Sequence, residues 1–340
     1  MKISILLPYK ENFSSSYDTT KLSKFYNNIK IYGSTDFKRD LLSKKYINLP
    51  IRKFFFQSST KIYLKKFITK EISNPSKIIE IHNRPNYLNE IFKINPNIVL
   101  YFHNDPLHQK GSILKKERID LLKKTRKIIF ISNWVKNRFF SDIKHLKKTT
   151  SNYIVIPHSI DKVKIDINKK KNLIIFVGRL NLSKGYDIFG KAILEILTKH
   201  NDWKAIVYGD EPREKITFKH KNLKILGFKK HKEILNKLKL SNISVVCSRW
   251  EEPFGRTALE ASSRGCAVII SNRGGLPEAV SFGIKINNLN TKNLYKAIDK
   301  LILDKKYRQT IQVKTLKNFI FSNEYVSKKI DTYRQKIILS

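Results

Sequence analysis

The sequence predicts an α/β protein built from two doubly wound parallel-sheet domains, and three observations predict it. Short apolar runs alternate with segments of helical periodicity over most of the chain, the pattern of parallel strands covered by helices. The chain has 340 residues, which at roughly 150 residues per domain is about two domains. A polar, basic stretch over 161–172 divides the alternation into two similar halves. The expected organisation is a first domain over 1–160, a linker over 161–172, a second domain over 173–320 and a closing helical segment over 321–340.

In the first half the expected strands are 2–7, 29–32, 78–81, 98–102, 127–131 and 153–156, each bounded by Pro, Gly, Asn, Ser or charged residues. Helical segments fill the gaps at 17–28 and at 113–124, where Ile113, Leu114, Ile119, Leu121 and Leu122 mark one imperfect face. The second half repeats the rhythm with strands at 173–177, 203–208, 223–226, 243–247 and 267–271. Between the first two of these, Phe189, Ala192, Ile193, Ile196 and Leu197 recur at the spacing of a single helix face.

Composition excludes several classes. Hydrophobic residues make up 41% and charged residues 28%, with 12 Gly and 10 Pro, the profile of a folded globular chain. The longest apolar stretches fall far short of the ~20 residues of a membrane-spanning helix. The apolar run after Met1-Lys2 is ended by Pro8-Tyr9-Lys10-Glu11 before a secretory core of ~7–15 residues can form, so a cytoplasmic protein is expected. Cys247 and Cys266 fit no metal spacing and read as small buried residues. The 68 basic and 28 acidic residues leave a net charge of +40. Such a charge suits nucleic acid or an anionic membrane. Most of the excess is Lys spread along the whole chain, however, so a basic residue is informative only at a required spacing.

The most informative segment runs from Ser248 to Ala261. It follows an expected strand; Pro253 disfavours helix at Glu252, and Thr257-Ala258-Leu259-Glu260-Ala261 favours it, so Phe254 and Gly255 stand at a helix start. The free N–H groups and dipole of a helix N-terminus suit a phosphate, and Gly255 lets a ligand approach the backbone. Glu252 and Glu260 would repel that phosphate, and hydroxyls are their natural partners. A phosphate flanked by two polyols is a nucleotide sugar. Two further turns join this one. Gly178-Arg179-Leu180-Asn181-Leu182-Ser183-Lys184-Gly185 follows a strand and leads into a helix, with Arg179 and Lys184 placed to meet a diphosphate. Ser271-Asn272-Arg273-Gly274-Gly275-Leu276-Pro277-Glu278 is a glycine turn after the strand 267–270.

Together these residues resemble the retaining family-four glycosyltransferases, which have the GT-B fold. Seven residues separate Glu252 from Glu260, as in that family's paired-glutamate motif, and the Gly-Arg turn, Glu-Pro-Phe-Gly and Gly274-Gly275-Leu276-Pro277-Glu278 stand in family order. Residues 321–338 resemble the terminal helix that crosses back to the first domain. Residues 155–161 resemble the interdomain segment, with His158-Ser159 where Asn-Gly is common. The resemblance implies a metal-independent hexosyltransferase, needing no cofactor, that takes a UDP- or GDP-sugar to a glycan or lipid-linked acceptor in cell-envelope polysaccharide or lipopolysaccharide synthesis. It implies Gly178, Arg179, Lys184, Phe254, Gly255, Arg256, Glu260 and Gly275 as donor-binding residues. Glu252 and His103, in Tyr101-Phe102-His103-Asn104-Asp105-Pro106, are the implied catalytic residues, and His82, Asn83 and Arg84 face the acceptor. Pro8 to Ser16 stands where the family has a glycine-rich loop. No Asp-x-Asp metal set occurs in the sequence. The basic surface adds the anionic inner leaflet of a membrane as an expected partner, with peripheral association there.

Two other classes account for the charge without catalysis: a nucleic-acid-binding protein and a peripheral membrane scaffold. No helix-turn-helix, zinc or stacking-platform signature supports the first, so no nucleic-acid partner is expected. Liposome binding without donor hydrolysis would mark the second.

Overall fold

Strands that read as unbroken apolar runs are buried on both faces, which parallel sheets under helices provide. In the computed structural model, which describes residues 1–10, 17–35, 45–51, 58–214 and 216–340, the described strands form two wholly parallel sheets. The first sheet holds β1 (Ile3–Leu6), β2 (Ile29–Gly33), β3 (Tyr46–Asn48), β4 (Ile78–His82), β5 (Ile98–Phe102), β6 (Lys127–Phe130) and β7 (Tyr153–Val155). Their order across it is β3-β2-β1-β4-β5-β6-β7. The second holds β8 (Lys171–Val177), β9 (Lys204–Tyr208), β10 (Leu223–Ile225), β11 (Ser241–Val246), β12 (Ala267–Ser271) and β13 (Ile284–Ile286), in the order β10-β9-β8-β11-β12-β13. Both are doubly wound: the strand order reverses beside β1 in one sheet and beside β8 in the other. Such switch points are where these sheets take ligands.

The chain divides into two compact units, Met1–Ser159 with Asn323–Ser340, and Ile160–Ser322. Residues 161–172, whose composition reads as a linker, lie in the second unit. The Lys170 ammonium is surrounded there by the carbonyls of Leu238, Lys239, Ser241 and Arg264, at 2.7–3.4 Å. Arg264 in turn holds both carboxylate oxygens of Asp161, at 3.0 and 3.1 Å. Four carbonyl acceptors satisfy a half-buried ammonium that forms no ion pair among the described residues. The helix Tyr186–Lys199 buries Phe189, Ala192, Ile193, Ile196 and Leu197 against this sheet, the face that its periodicity marks.

In the first unit the closing helix, Asn323–Leu339, lays Val326, Ile330, Tyr333 and Ile337 on the core formed by Ile3, Ile5, Ile29, Ile78 and Val99. Its Arg334 forms a two-pronged pair with Glu80 of β4, both bonds 2.8 Å, and Tyr333 donates to the same carboxylate at 2.8 Å. The expected helix over 17–28 is instead two pieces, Tyr17–Lys21 and the short turn Tyr26–Asn28. Ser23 interrupts it, donating to Asp331 at 2.6 Å while its hydroxyl accepts the Phe25 N–H at 3.1 Å. The helix expected from 113 begins at Lys115, because the Glu117 carboxylate accepts the Leu114 N–H at 2.9 Å and caps it there. Both cysteines are free and buried, and burial pushes the Cys247 thiol up to about 12. Among the described residues no helix is long and apolar enough to cross a membrane.

Candidate active site

The second unit presents three turns at the C-terminal edge of its sheet. After β8, Asn181 accepts the Lys184 N–H at 3.1 Å, closing the short turn Leu182–Lys184, and Gly185 follows at φ 70°. No side chain fits at Gly185: a Cβ there would lie 1.9 Å from the Cys247 carbonyl oxygen. The turn after β11 is fastened directly to this one. Arg249 and Trp250 donate their backbone N–H groups to Ser183 O at 2.9 and 3.1 Å. The Arg249 guanidinium grips Asp187 at 2.5 and 2.7 Å, which holds that carboxyl below the usual range. The third turn, after β12, joins through Gly275 N–H to Glu252 O at 2.6 Å. Gly274, at φ 58°, packs so closely on 251–252 that a Cβ would lie 2.4 Å from Glu252 O.

The side chains expected in one place are therefore largely brought there. Lys184 Nζ lies 2.5 Å from Glu252 Oε1, with side-chain exposures of 24% and 15%. Gly255, at φ 101°, precedes the helix Arg256–Ser263, and Glu260 sits on that helix, its side chain 11% exposed. Gly178 and Arg179 follow β8 directly. Arg179 is exposed and has no ion-pair partner among the described residues. Phe254 differs from the rest: its ring is buried and packs edge-on against Phe321, so only its backbone faces the turn. Sequence reasoning did not find His231, whose Nε2 lies 3.0 Å from Glu260 Oε1; Arg256 Nη2 approaches the same oxygen at 3.6 Å. A lone His after a short strand carries no signal of that pairing.

In the first unit, His82 closes β4 and His103 follows β5, the neighbouring strand. His82 Nδ1 and His103 Nε2 are 3.0 Å apart. The rings of Tyr101, His82, His103 and His158 form a near-parallel stack, with successive centroids at 4.1, 5.2 and 5.4 Å. Burial, with the neighbouring His103, Arg334 and His158, holds His82 well below the ordinary imidazole range. Asn83 adopts φ 56°, a conformation Asn tolerates, and its side-chain oxygen accepts the His103 N–H at 3.3 Å. Asn83 thus shapes the His103 segment, and Arg84 donates to the Asn83 carbonyl at 2.8 Å. A cavity of about 30 Å³ lies beside the stack, lined by Glu80, His82, Tyr101, His103, His158 and Arg334 among others. His158, of the His158-Ser159 pair that stands where Asn-Gly is common, stacks on His103. Residues 11–16 of the segment standing in place of the family's first loop lie outside the described residues.

Two doubly wound parallel sheets of this order define the GT-B fold of glycosyltransferases, and solved structures share it over the whole chain. HepE of Anabaena, crystallised in complex with UDP, superposes with a TM-score of 0.77 at 18% identity, covering 99% of this chain and 100% of that one. A glycosyltransferase from Rickettsia africae superposes at 0.76, with 18% identity over 99% and 98% of the two chains. Residues 158–317 match the family described as Glycosyl transferases group 1. The lipopolysaccharide 1,2-N-acetylglucosaminetransferase of Salmonella typhimurium is 23% identical over 74% of this chain and 70% of its own. YtcC of Bacillus subtilis is 24% identical over 99% and 87%.

Proposed function

We propose that the chain is a retaining glycosyltransferase that moves a hexosyl group from a UDP- or GDP-sugar to a glycan or lipid-linked acceptor in cell-envelope polysaccharide or lipopolysaccharide synthesis. The observation that carries this reading is the junction of three turns beside the β8–β11 switch point, with Lys184 and Glu252 in contact at 2.5 Å. As the glycosidic bond breaks, charge grows on the departing diphosphate. Lys184, Arg179 and the N-terminus of the helix Arg256–Ser263 are preorganised positive groups for that charge. Glu260 accepts ribose hydroxyls and Glu252 the hydroxyls of the transferred sugar. In this reading the acceptor attacks on the face from which the diphosphate leaves, a donor phosphate oxygen takes its proton, and His103 contacts the sugar. Glu252 is not required as a covalent nucleophile, and with these positive groups at the diphosphate the reading needs no dedicated metal.

The acceptor class rests on the envelope-directed name of the Salmonella relative and on the net charge of +40, which favours docking at an anionic leaflet. Equal activity on liposomes with and without anionic lipid would argue against the docking. The reading as a whole is tested by thermal shift of the full chain against UDP-, GDP- and ADP-sugars. A donor at 100 times its dissociation constant adds roughly 2.7 kcal/mol of stability. No shift with any of the three would refute it.

A further inference from the structure

We propose that His231 is the positioning residue for Glu260, and that it sets how strongly the second unit prefers a ribonucleotide over its 2′-deoxy counterpart. The inference rests on the reading of Glu260 as the acceptor of ribose hydroxyls and goes one residue beyond it.

Two donors converge on one oxygen of this carboxylate. His231 Nε2 lies 3.0 Å from Glu260 Oε1, and Arg256 Nη2 lies 3.6 Å from the same atom. Oε2 makes no hydrogen bond within the described residues, so the arrangement ties one oxygen to the protein and leaves the other for a ligand. A carboxylate accepts through either oxygen, so which oxygen is tied decides which is presented. Glu260 is 8% exposed, and His231 reaches it from a separate element, the first residue of the helix His231–Leu240. That helix follows β10 through Gly227, which takes a φ of 64°. Arg256 is on the same helix as Glu260, one turn earlier, and moves with it. His231 is the contact that ties the carboxylate to a second part of the unit.

Glutamate has three side-chain torsions, and a grip on two vicinal hydroxyls needs them fixed before the ligand arrives. Without His231 the carboxylate samples orientations that do not meet the diol, and each encounter must order it. The effect falls on the ribose alone. A ligand lacking the 2′-hydroxyl never uses the full grip and loses little.

The test uses the full chain and isothermal titration with whichever of UDP, GDP and ADP binds most tightly, beside its 2′-deoxy counterpart. Wild type is expected to prefer the ribonucleotide by at least ~10-fold, since a buried acceptor left without its hydroxyl is penalised. Glu260→Ala should bring the ratio close to one. His231→Asn, too short to reach, should weaken the ribonucleotide by ~5-fold and leave the deoxynucleotide unchanged. His231→Gln, whose amide nitrogen lies at the reach of Nε2, should restore the wild-type ratio. A general loosening of the unit would weaken both nucleotides alike and restore nothing with Gln, and that result overturns the proposal. A wild-type ratio in His231→Asn, with the ratio collapsed in Glu260→Ala, also overturns it while the ribose reading stands. A wild-type ratio in Glu260→Ala overturns the ribose reading and the proposal with it, and binding of none of the three nucleotides refutes the glycosyltransferase reading itself.

Discussion

Glutamine in place of Glu252 separates the two roles proposed for the Lys184–Glu252 pair, because they respond in opposite directions. In the free chain the ammonium is 2.5 Å from the carboxylate, and the side chains are 24% and 15% exposed. A diphosphate reaching Lys184 must compete with that carboxylate. Two unit charges 4 Å apart interact by about 4 kcal/mol at an effective dielectric constant of 20 and by about 1 kcal/mol in bulk water. Partial exposure of both groups puts this pair toward the lower figure, so about 1 kcal/mol is a fair expectation. Glu252→Gln removes the charge and keeps the shape, and UDP or GDP without its sugar should bind ~5-fold more tightly. Turnover should move the other way: the neutral amide is a weaker acceptor for the hydroxyls of the transferring sugar, and a loss of at least tenfold corresponds to about 1.4 kcal/mol of barrier. Lys184→Ala should lower both quantities. Titration calorimetry with the free nucleotide and release of sugar from the donor, with water as acceptor, measure the two on the same preparations. Weaker nucleotide binding in Glu252→Gln, or unchanged binding in Lys184→Ala, would show that the pair does not face the diphosphate.

Three further outcomes follow from the packing. Arg334→Met leaves Glu80 buried with Tyr333 as its neighbour and should cost about 3–5 kcal/mol of first-unit stability in urea, largely recovered in Glu80→Leu/Arg334→Met; a loss below about 1 kcal/mol would refute the buried pair. Gly185→Ala forces a Cβ to within 1.9 Å of a backbone oxygen at φ 70°, so the chain should lose more than about 1 kcal/mol, seen as a melting temperature at least roughly 2–4 °C lower; an unchanged value would contradict that conformation. His82 is held neutral in the fold, so below about pH 6.5 the unfolded chain binds the extra proton, and stability rises with pH and is lost as pH falls from 7 to 5. His82→Gln should flatten that slope in urea midpoints taken at the two pH values, and an identical slope would place the titration elsewhere.

The strands were legible because burial on both faces forces apolar runs, and the runs at 98–102 and 267–271 coincide with β5 and β12 at both ends. β3 and β13 left no such trace. Each is a three-residue edge strand, and Ile284–Ile286 carries an exposed Lys at its centre. The turns of the second unit were legible where the backbone admits little but glycine. Gly185, Gly255 and Gly274 all have positive φ, and two of them lie within 2.4 Å of a neighbouring main-chain oxygen where a side chain would stand. Partnerships between side chains were not legible. Glu80 sits in an apolar strand, and its partner Arg334 comes from the far end of the chain; His231 and Glu260 belong to helices with no shared motif.

What joins the two kinds of information is strand order. The turns 178–185 and 248–255 are separated in sequence by two further strands, β9 and β10, and nothing local says that they meet. In a doubly wound sheet β9 and β10 are laid to one side of β8, and the chain then returns to place β11 on the other side. The loops after β8 and β11 must therefore emerge as neighbours at the carboxyl edge. Lys184 reaches Glu252 because of that topology, whereas β4 and β5 are neighbours in sequence as well as in the sheet, and His82 meets His103 at their ends without any reversal. A chain whose strands were ordered sequentially would keep every one of these motifs and the histidine pair, and would part the turn that carries Lys184 from the turn that carries Glu252 by two strands.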